Sequence, residues 1–244
     1  MAEKKVGRYL AYALGEIVLV VIGILIALAI NNRNQRNLDA KVEHTYLLGL
    51  QEEFNTSKNK LTELISVNRA NIENAEKIIG LMTQKDSLPT EEVLSKLLFN
   101  TFVSDVAFNP NNSLLSEIIS SGNLKNISNA ELRIMLTNWI ATLEDISRQE
   151  EDLSHERENL LDIFRTNAYS IKTVLQQTGV YTSLNLPPDG KSFSNLEVLS
   201  SQEFENKLLI FIVTSHATED NHYSPLMVYL NAILDAISSE LQEE

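Results

Sequence analysis

The pattern of apolar positions is dominated by one stretch, Tyr9–Ile30, in which Glu16 is the only charged residue. As a helix this stretch is long enough to cross the hydrocarbon core of a membrane, which needs about 20 residues. No other segment of the sequence combines that length with that apolarity. The pattern therefore predicts a transmembrane helix over residues 9–30, preceded by a basic tail over residues 1–8.

Helical spacing of apolar residues continues after the span. From Leu47 to Met82 these residues recur close to a heptad, which predicts a juxtamembrane stalk and first long helix over residues 31–83. Ser57, Asn68 and Asn71 lie on the same seam and weaken it as a coiled coil. Because the segment contains few helix breakers, the span is expected to continue into this helix as one rod.

Residues 84–244 are predicted to supply the remainder of the helical bundle domain. A capping box formed by Ser128 and Glu131 places the start of one long helix near residue 129, and the pattern extends to residue 177. A loop over 177–195 precedes a last helical region over 201–241, with a kink expected near Pro225. The apolar run Leu208–Val213 is interpreted as buried helix. Shorter helices are predicted over 89–103 and 113–121. The predicted fold is all-α: one N-terminal transmembrane helix continuing into an up-and-down bundle of long helices.

One face of the span carries small and polar residues. On a helix that turns by about 100° per residue, Gly23, Ala27 and Asn34 lie on the same side as Glu16, and Gly15 belongs to an adjoining small-residue stripe. Small residues let membrane helices approach closely, and a carboxyl in a membrane faces protein or water. We therefore expect the span to self-associate. Glu16 either lines an ion or proton pathway or only sets the helix register.

A cleaved signal peptide is the competing interpretation of the N-terminus. Lys4, Lys5 and Arg8 form a basic start, and Ala27-Leu28-Ala29 resembles a cleavage site. The apolar run is longer than the apolar region of a signal peptide, however, and leads directly into helical periodicity. These features favour an uncleaved anchor.

Composition and charge limit the classes of partner and the kinds of chemistry that fit this chain. The chain has no cysteine, which excludes disulfides and thiolate chemistry. The first 36 residues carry five basic and two acidic residues, whereas the whole chain has a formal net charge of -13. An acidic domain argues against nucleic acid as a partner, because a phosphate backbone requires a positive surface. The basic tail favours an N-terminus inside the cell and an exported C-terminal domain, although basic residues also follow the span.

Few residue patterns in the sequence indicate metal binding or a ligand pocket. Asp152 and His155, and Glu219 and His222, share the i, i+3 spacing with which helical bundles bind metal ions, and Glu52 or Glu53 would then supply a bridging carboxylate. Such pairs also arise by chance in an acidic helical chain, so we predict no metal and no cofactor. His44 and His216 are expected at the surface or at the rim of the bundle. Four aromatic residues are expected in the core rather than around a ligand: Trp139, Phe211, Tyr223 and Tyr229.

The segment GEIVLVVIGILIALAINNRNQ resembles the N-terminal signature of a large family of uncharacterised membrane proteins from Bacteroidota. The family usually has tryptophan where this chain has Arg33. A second segment, SSGNLKNISNAELR from Ser120 to Arg133, is similar to the S-G-N-L-x-x-I-x-N-x-E-L-R segment of the same family. The resemblance implies a bacterial envelope protein with one span and a helical domain, and it brings no catalytic residues.

Three functions are compatible with these features. The first is a non-enzymatic, homo-oligomeric membrane protein whose bundle binds a protein or small molecule. The second is a pore with Glu16 at its axis, and the third is a metal-dependent enzyme on the bundle. The absence of catalytic motifs favours the first, in the bacterial inner membrane with the C-terminal domain in the periplasm.

Overall fold

The computed structural model describes residues 3–84, 88–187 and 193–243, with side chains from residue 14 to residue 242 within those ranges. The side chains of the basic tail, and Pro188 and Gly190 of the predicted loop, lie outside the described residues. The described residues form helices and no strand, which confirms the all-α prediction.

A single helix, α1, runs from Glu3 to Thr83 over 81 residues. It joins the predicted span and the predicted first long helix without a break, as the scarcity of glycine and proline indicated. Residues 14–42 of α1 are exposed, whereas the heptad seam beyond them is buried. The buried positions on this seam include Leu47, Leu50, Phe54, Leu61, Leu64, Ala75 and Ile78.

The other elements are shorter. Within the described ranges, seven further α-helices follow: α2 Glu91–Phe102, α3 Ser113–Ser120, α4 Ala130–Phe164, α5 Ile171–Gln177, α6 Val180–Ser183, α7 Gln202–Thr218 and α8 Ser224–Glu243. Short 3₁₀ turns occupy Asn123–Asn126 and Leu196–Ser200, and a π-helical turn, Glu219–Tyr223, joins α7 to α8. The turn lies where the sequence predicted a kink before Pro225.

Contacts between these helices define an up-and-down bundle. Helix α1 packs against α2, α7 and α8, and α4 packs against α7 and α8. Pairing runs antiparallel, since Gln51 near the start of the bundled part of α1 contacts Ser238 near the end of α8, and Asn68 further along contacts Ser215 of α7. The chain therefore ascends in α1, descends through α2 and α3, ascends in α4 and descends in α7 and α8.

The predicted helix over 129–177 is correct up to Phe164 and wrong beyond it. Helix α4 ends at Phe164, and α5 starts a new direction at Ile171. Side chains between them bond to the backbone: the Thr166 hydroxyl donates to the Ile163 carbonyl at 2.8 Å, and Ser170 caps α5 by accepting from Thr173 N at 3.2 Å. These local hydrogen bonds compete with the helical ladder, so the apolar spacing across 164–175 does not extend one helix.

Two smaller predictions also need correction. The residue that caps α4 is Asn129, whose side chain accepts from Leu132 N at 3.0 Å, and not Ser128 of the predicted capping box. Ser128 instead donates its backbone N–H to Glu43 of α1. The run Leu208–Val213 is helical, but its members Leu209, Ile210 and Val213 are exposed. Only one face of α7 packs in the core at this position, so the apolar residues on its other faces remain exposed.

Candidate functional site

Two of the descending helices are interrupted at the middle of the bundle. Residues 103–112 separate α2 from α3 without helical structure, and the π turn Glu219–Tyr223 separates α7 from α8. Both interruptions contact the same buried carboxylate, Glu150 of α4. Because π turns are rare and occur frequently at functional sites, this level is the candidate site. We call it the middle layer, and its members are Asn68, Arg69, Phe108, Glu150, Ser215, Glu219 and Tyr223.

Glu150 links three segments of the chain. Its Oε1 accepts a hydrogen bond from the Tyr223 hydroxyl at 2.6 Å and another from Phe108 N at 2.7 Å. The residue is only 7% exposed, and its burial raises the pKa of its carboxyl, with repulsion from Asp105 adding to the shift. Burial and the adjacent Glu150 also raise the pKa of the Tyr223 hydroxyl, so that this group stays protonated and donates.

Glu219 links the π turn to α1. Its Oε1 accepts from Arg69 Nε at 2.6 Å, and its Oε2 accepts from Asn68 Nδ2 at 3.3 Å. The same Asn68 amide also donates to the Ser215 carbonyl at 3.1 Å. Asn68 Oδ1 and Ser215 Oγ are buried without a hydrogen-bond partner among the described residues. A buried polar atom without a partner costs free energy, so this side of the layer is less completely satisfied than the Glu150 side.

A third buried carboxylate, Glu53, contacts the start of α3, where the interruption between α2 and α3 ends. Its two oxygens accept from the backbone N–H groups of Leu114 and Leu115, at 2.7 and 3.0 Å. A carboxylate at this position satisfies free donors of the first turn of α3 and interacts favourably with the helix dipole. Ser57, one turn further along α1, accepts from Asn111 N at 2.9 Å. Helix α1 therefore holds the end of this segment that leads into α3.

The predicted metal candidates are not assembled into one site. Glu219 faces Arg69 of α1, and Glu53 is occupied by α3. Asp152 and His222 line one open groove between α4 and α8, while His155 is exposed. Among the described residues, no group of three or more histidine, aspartate or glutamate side chains is placed to hold a metal ion.

The predicted face of the span is exposed in this single chain. Glu16, Gly15, Gly23, Ala27 and Asn34 all lie on the exposed part of α1. A Cβ atom built at Gly15 or Gly23 would meet nothing within 4 Å. The face is thus available to a partner outside the chain.

The aromatic residues are mainly core, as predicted. Trp139, Phe211 and Tyr223 are buried, and the Trp139 ring lies 5.2 Å from Phe54, centroid to centroid. Tyr229 is half-buried and stacks on Trp139 at 6.4 Å. His216 is exposed beside Glu76, as expected of a surface residue, whereas His44 is half-buried.

Sequence reasoning singled out Asn68 but missed Glu150 and Arg69 as members of the layer. The signal for Glu150 was present, because it follows Ile146 by four residues and precedes Leu153 by three, which is the spacing of a core position. By itself, the polar stretch over residues 148–159 is compatible either with a solvated part of a long helix or with a polar layer in the bundle. For Glu150 the second interpretation is correct.

These features define a class: an all-helical protein with a buried polar layer and one helix, Leu14–Thr83 among the described residues, that is long and apolar enough to cross a membrane. A family model described as a family of unknown function (DUF6090) matches residues 16–145, and the chain belongs to this family. The match ends five residues before Glu150, so α7, the π turn and α8 lie outside it. No curated protein and no solved structure matches the sequence.

Proposed function

We propose that this protein is a homo-oligomeric, membrane-anchored protein of the bacterial inner membrane whose periplasmic bundle binds or senses a ligand and catalyses no reaction. One observation carries the proposal: α1 is continuous from the exposed apolar segment to the buried middle layer. Asn68 lies 38 residues beyond Ile30 on this helix, which is roughly 60 Å at 1.5 Å per residue. A displacement at the layer would therefore reach the membrane through a single rod.

The oligomer has a direct test because the chain lacks cysteine. Ala27→Cys places one thiol on the face shared by Glu16 and Gly23, and Ala29→Cys places one on a side about 140° away from Glu16. We expect oxidation in lipid nanodiscs to cross-link Ala27→Cys much more than Ala29→Cys. Equal cross-linking of the two variants, or none in either, would refute association through this face.

The location is tested with a third cysteine. Val228 is 70% exposed on α8, so Val228→Cys presents a reactive thiol on the bundle. A membrane-impermeant maleimide should label it in intact spheroplasts without lysis if the bundle is periplasmic. Labelling only after lysis would reverse the proposed orientation. Recovery of a soluble mature protein that begins after Ala29 would exclude the anchor itself.

A pore is the second candidate, and the exposure of Glu16 on the predicted span favours it. If helices pack through the Glu16 face, a ring of carboxylates lies on the axis, and such rings select cations. Proton or cation flux into proteoliposomes should then fall strongly in Glu16→Gln. Absence of flux in the wild type, or equal flux in the variant, would exclude the pore and leave the binding role.

A further inference from the structure

A small apolar pocket lies between α2, α4 and α5, on the side of the bundle away from the predicted membrane segment. Its volume is about 200 Å³. Leu98, Phe102 and Val174 form buried parts of its wall, whereas Val103 and Ile171 at its edge are 53% and 48% exposed. Apolar side chains around an open pocket are the usual lining of a small-molecule site.

The pocket exists because two helices end beside it. Helix α2 stops at Phe102, and α4 stops at Phe164, so that α5 turns back to pack against α2. Ile171 and Leu175, whose apolar spacing in the sequence would extend α4, therefore belong to α5 and line the pocket. A continuous α4 would carry these side chains along its own axis.

One charged side chain, Arg157, lines the pocket. Its Nε and Nη2 donate to the Phe102 carbonyl at 3.1 and 2.6 Å, and its Nη1 contacts Glu158 at 3.2 Å. Glu158 is shared with Arg165, at 2.7 Å from that guanidinium. The carboxylate of Glu158 partly offsets the charge of Arg157, and Arg165 is also paired with Asp162. Three of the five N–H donors of the Arg157 guanidinium contact the Phe102 carbonyl and Glu158, so two remain for a ligand.

These features select the chemistry of the ligand. The volume exceeds that of an apolar cavity that holds benzene, about 150 Å³, and is smaller than a typical drug-sized pocket, at about 300 Å³ or more. An unbranched acyl chain of medium length fits this range, and a carboxylate is the natural partner of the free guanidinium donors. We propose that this pocket binds a medium-chain carboxylic acid, with its acyl chain among the apolar residues and its carboxylate at Arg157.

Two segments of the chain connect the pocket to the middle layer. Arg157 is seven residues, or about 10 Å, from Glu150 on α4. Residues 103–108 connect the Phe102 carbonyl held by Arg157 to the Phe108 N–H held by Glu150. The inference therefore rests on the proposed binding role and gives it a ligand class.

Photolabelling of the full chain in lipid nanodiscs tests the proposal. The probe is a decanoic acid that carries a diazirine on its chain, and peptide mass spectrometry locates the label. We expect label in α2 or in the 157–175 region, displaced by decanoate about tenfold more effectively than by decanol, because a charge-assisted hydrogen bond contributes about this much. Arg157→Gln should bring the two competitors close to equal.

A matched pair of variants controls for folding. Val103→Trp adds bulk at the edge of the pocket, whereas Val228→Trp adds the same bulk at an exposed valine of α8. We expect Val103→Trp to lose most of the pocket label and Val228→Trp to retain it. Label confined to residues 14–30, equal loss in both variants, or equal competition by decanoate and decanol in the wild type would each overturn the proposal.

The two proposals fail separately. Cross-linking of Ala27→Cys without pocket labelling would leave the oligomeric membrane protein and remove this ligand. Pocket labelling without cross-linking would retain the ligand and remove association through the Glu16 face.

Discussion

The first and second parts of helix α1 differ in whether their apolar side chains are exposed or buried, although both belong to one regular helix. Residues 14–30 are apolar except for Glu16 and are exposed on every side of the helix, whereas the seam from Leu47 to Ile78 is buried and includes the polar residues Ser57, Asn68 and Asn71. The helical backbone satisfies its own hydrogen bonds, so it can pass from lipid to a protein core unchanged. One regular helix therefore carries an exposed apolar surface in its first part and a packed core seam in its second part.

The largest effect is expected when one side chain is truncated to alanine in each part of α1. Phe54→Ala removes a ring that is 1% exposed and packs on Trp139, so we expect a loss of about 3–5 kcal/mol in the free energy of unfolding. Ile26→Ala removes an exposed side chain and should change bundle stability by less than about 0.5 kcal/mol. Urea unfolding in nanodiscs, followed by the fluorescence of the single tryptophan Trp139, measures both. Similar losses would mean that the first part also packs on the bundle.

A second test exchanges glycine for leucine in each part. A Cβ at Gly49 would collide with Leu114 Cδ2, so Gly49→Leu should overpack the contact between α1 and α3 and cost about 1–3 kcal/mol. Gly23→Leu meets nothing within 4 Å and should leave bundle unfolding unchanged while it weakens self-association. Unfolding and sedimentation of the two variants separate these effects. If Gly23→Leu destabilised the bundle, the two parts would not be independent.

The third test uses pH to probe the buried part. Burial raises the pKa of Glu150 above its ordinary value of 4.5, so the native state holds this proton to higher pH than the unfolded chain. Between the two pKa values the native state binds more protons, and the stability contributed by Glu150 falls as pH rises through that window. Glu150→Gln keeps an oxygen acceptor for Tyr223 and Phe108 but does not titrate.

The measurement for this third test is a difference in unfolding free energy. The unfolding free energy of the wild type minus that of Glu150→Gln should decrease as the pH rises from the ordinary glutamate pKa of 4.5 through the raised pKa of Glu150. A difference that increases with pH would mean that Glu150 is stabilised as a carboxylate by its two donors more than it is penalised by burial.

The smallest expected effect lies at the junction of the two parts. Asn129 caps α4 and also donates to Glu240 of α8 at 2.7 Å, close to where Ser128 contacts Glu43 of α1. Asn129→Ala should cost about 1 kcal/mol, and Asn129→Ser, which retains a capping oxygen, should cost less. Thermal unfolding monitored by circular dichroism resolves the pair. Equal losses would show that the contact with Glu240 matters more than the cap.

The amino-acid sequence by itself determined the all-α class, the long first helix and the site of the kink before Pro225. Apolar spacing, glycine and proline are local signals, and they act within a few turns of the chain. Asn68 and Glu150 were also readable as polar residues on apolar seams.

Only the tertiary structure decided what those residues do. Glu150 meets Tyr223 and Phe108 from distant parts of the chain, and Glu53 meets α3, because packing brings together groups whose separation no local pattern records. The same holds for the end of α4 at Phe164, where side chains of 166 and 170 bind backbone instead of extending the helix. The pocket beside Arg157 is a consequence of that ending, and it was therefore invisible in the sequence.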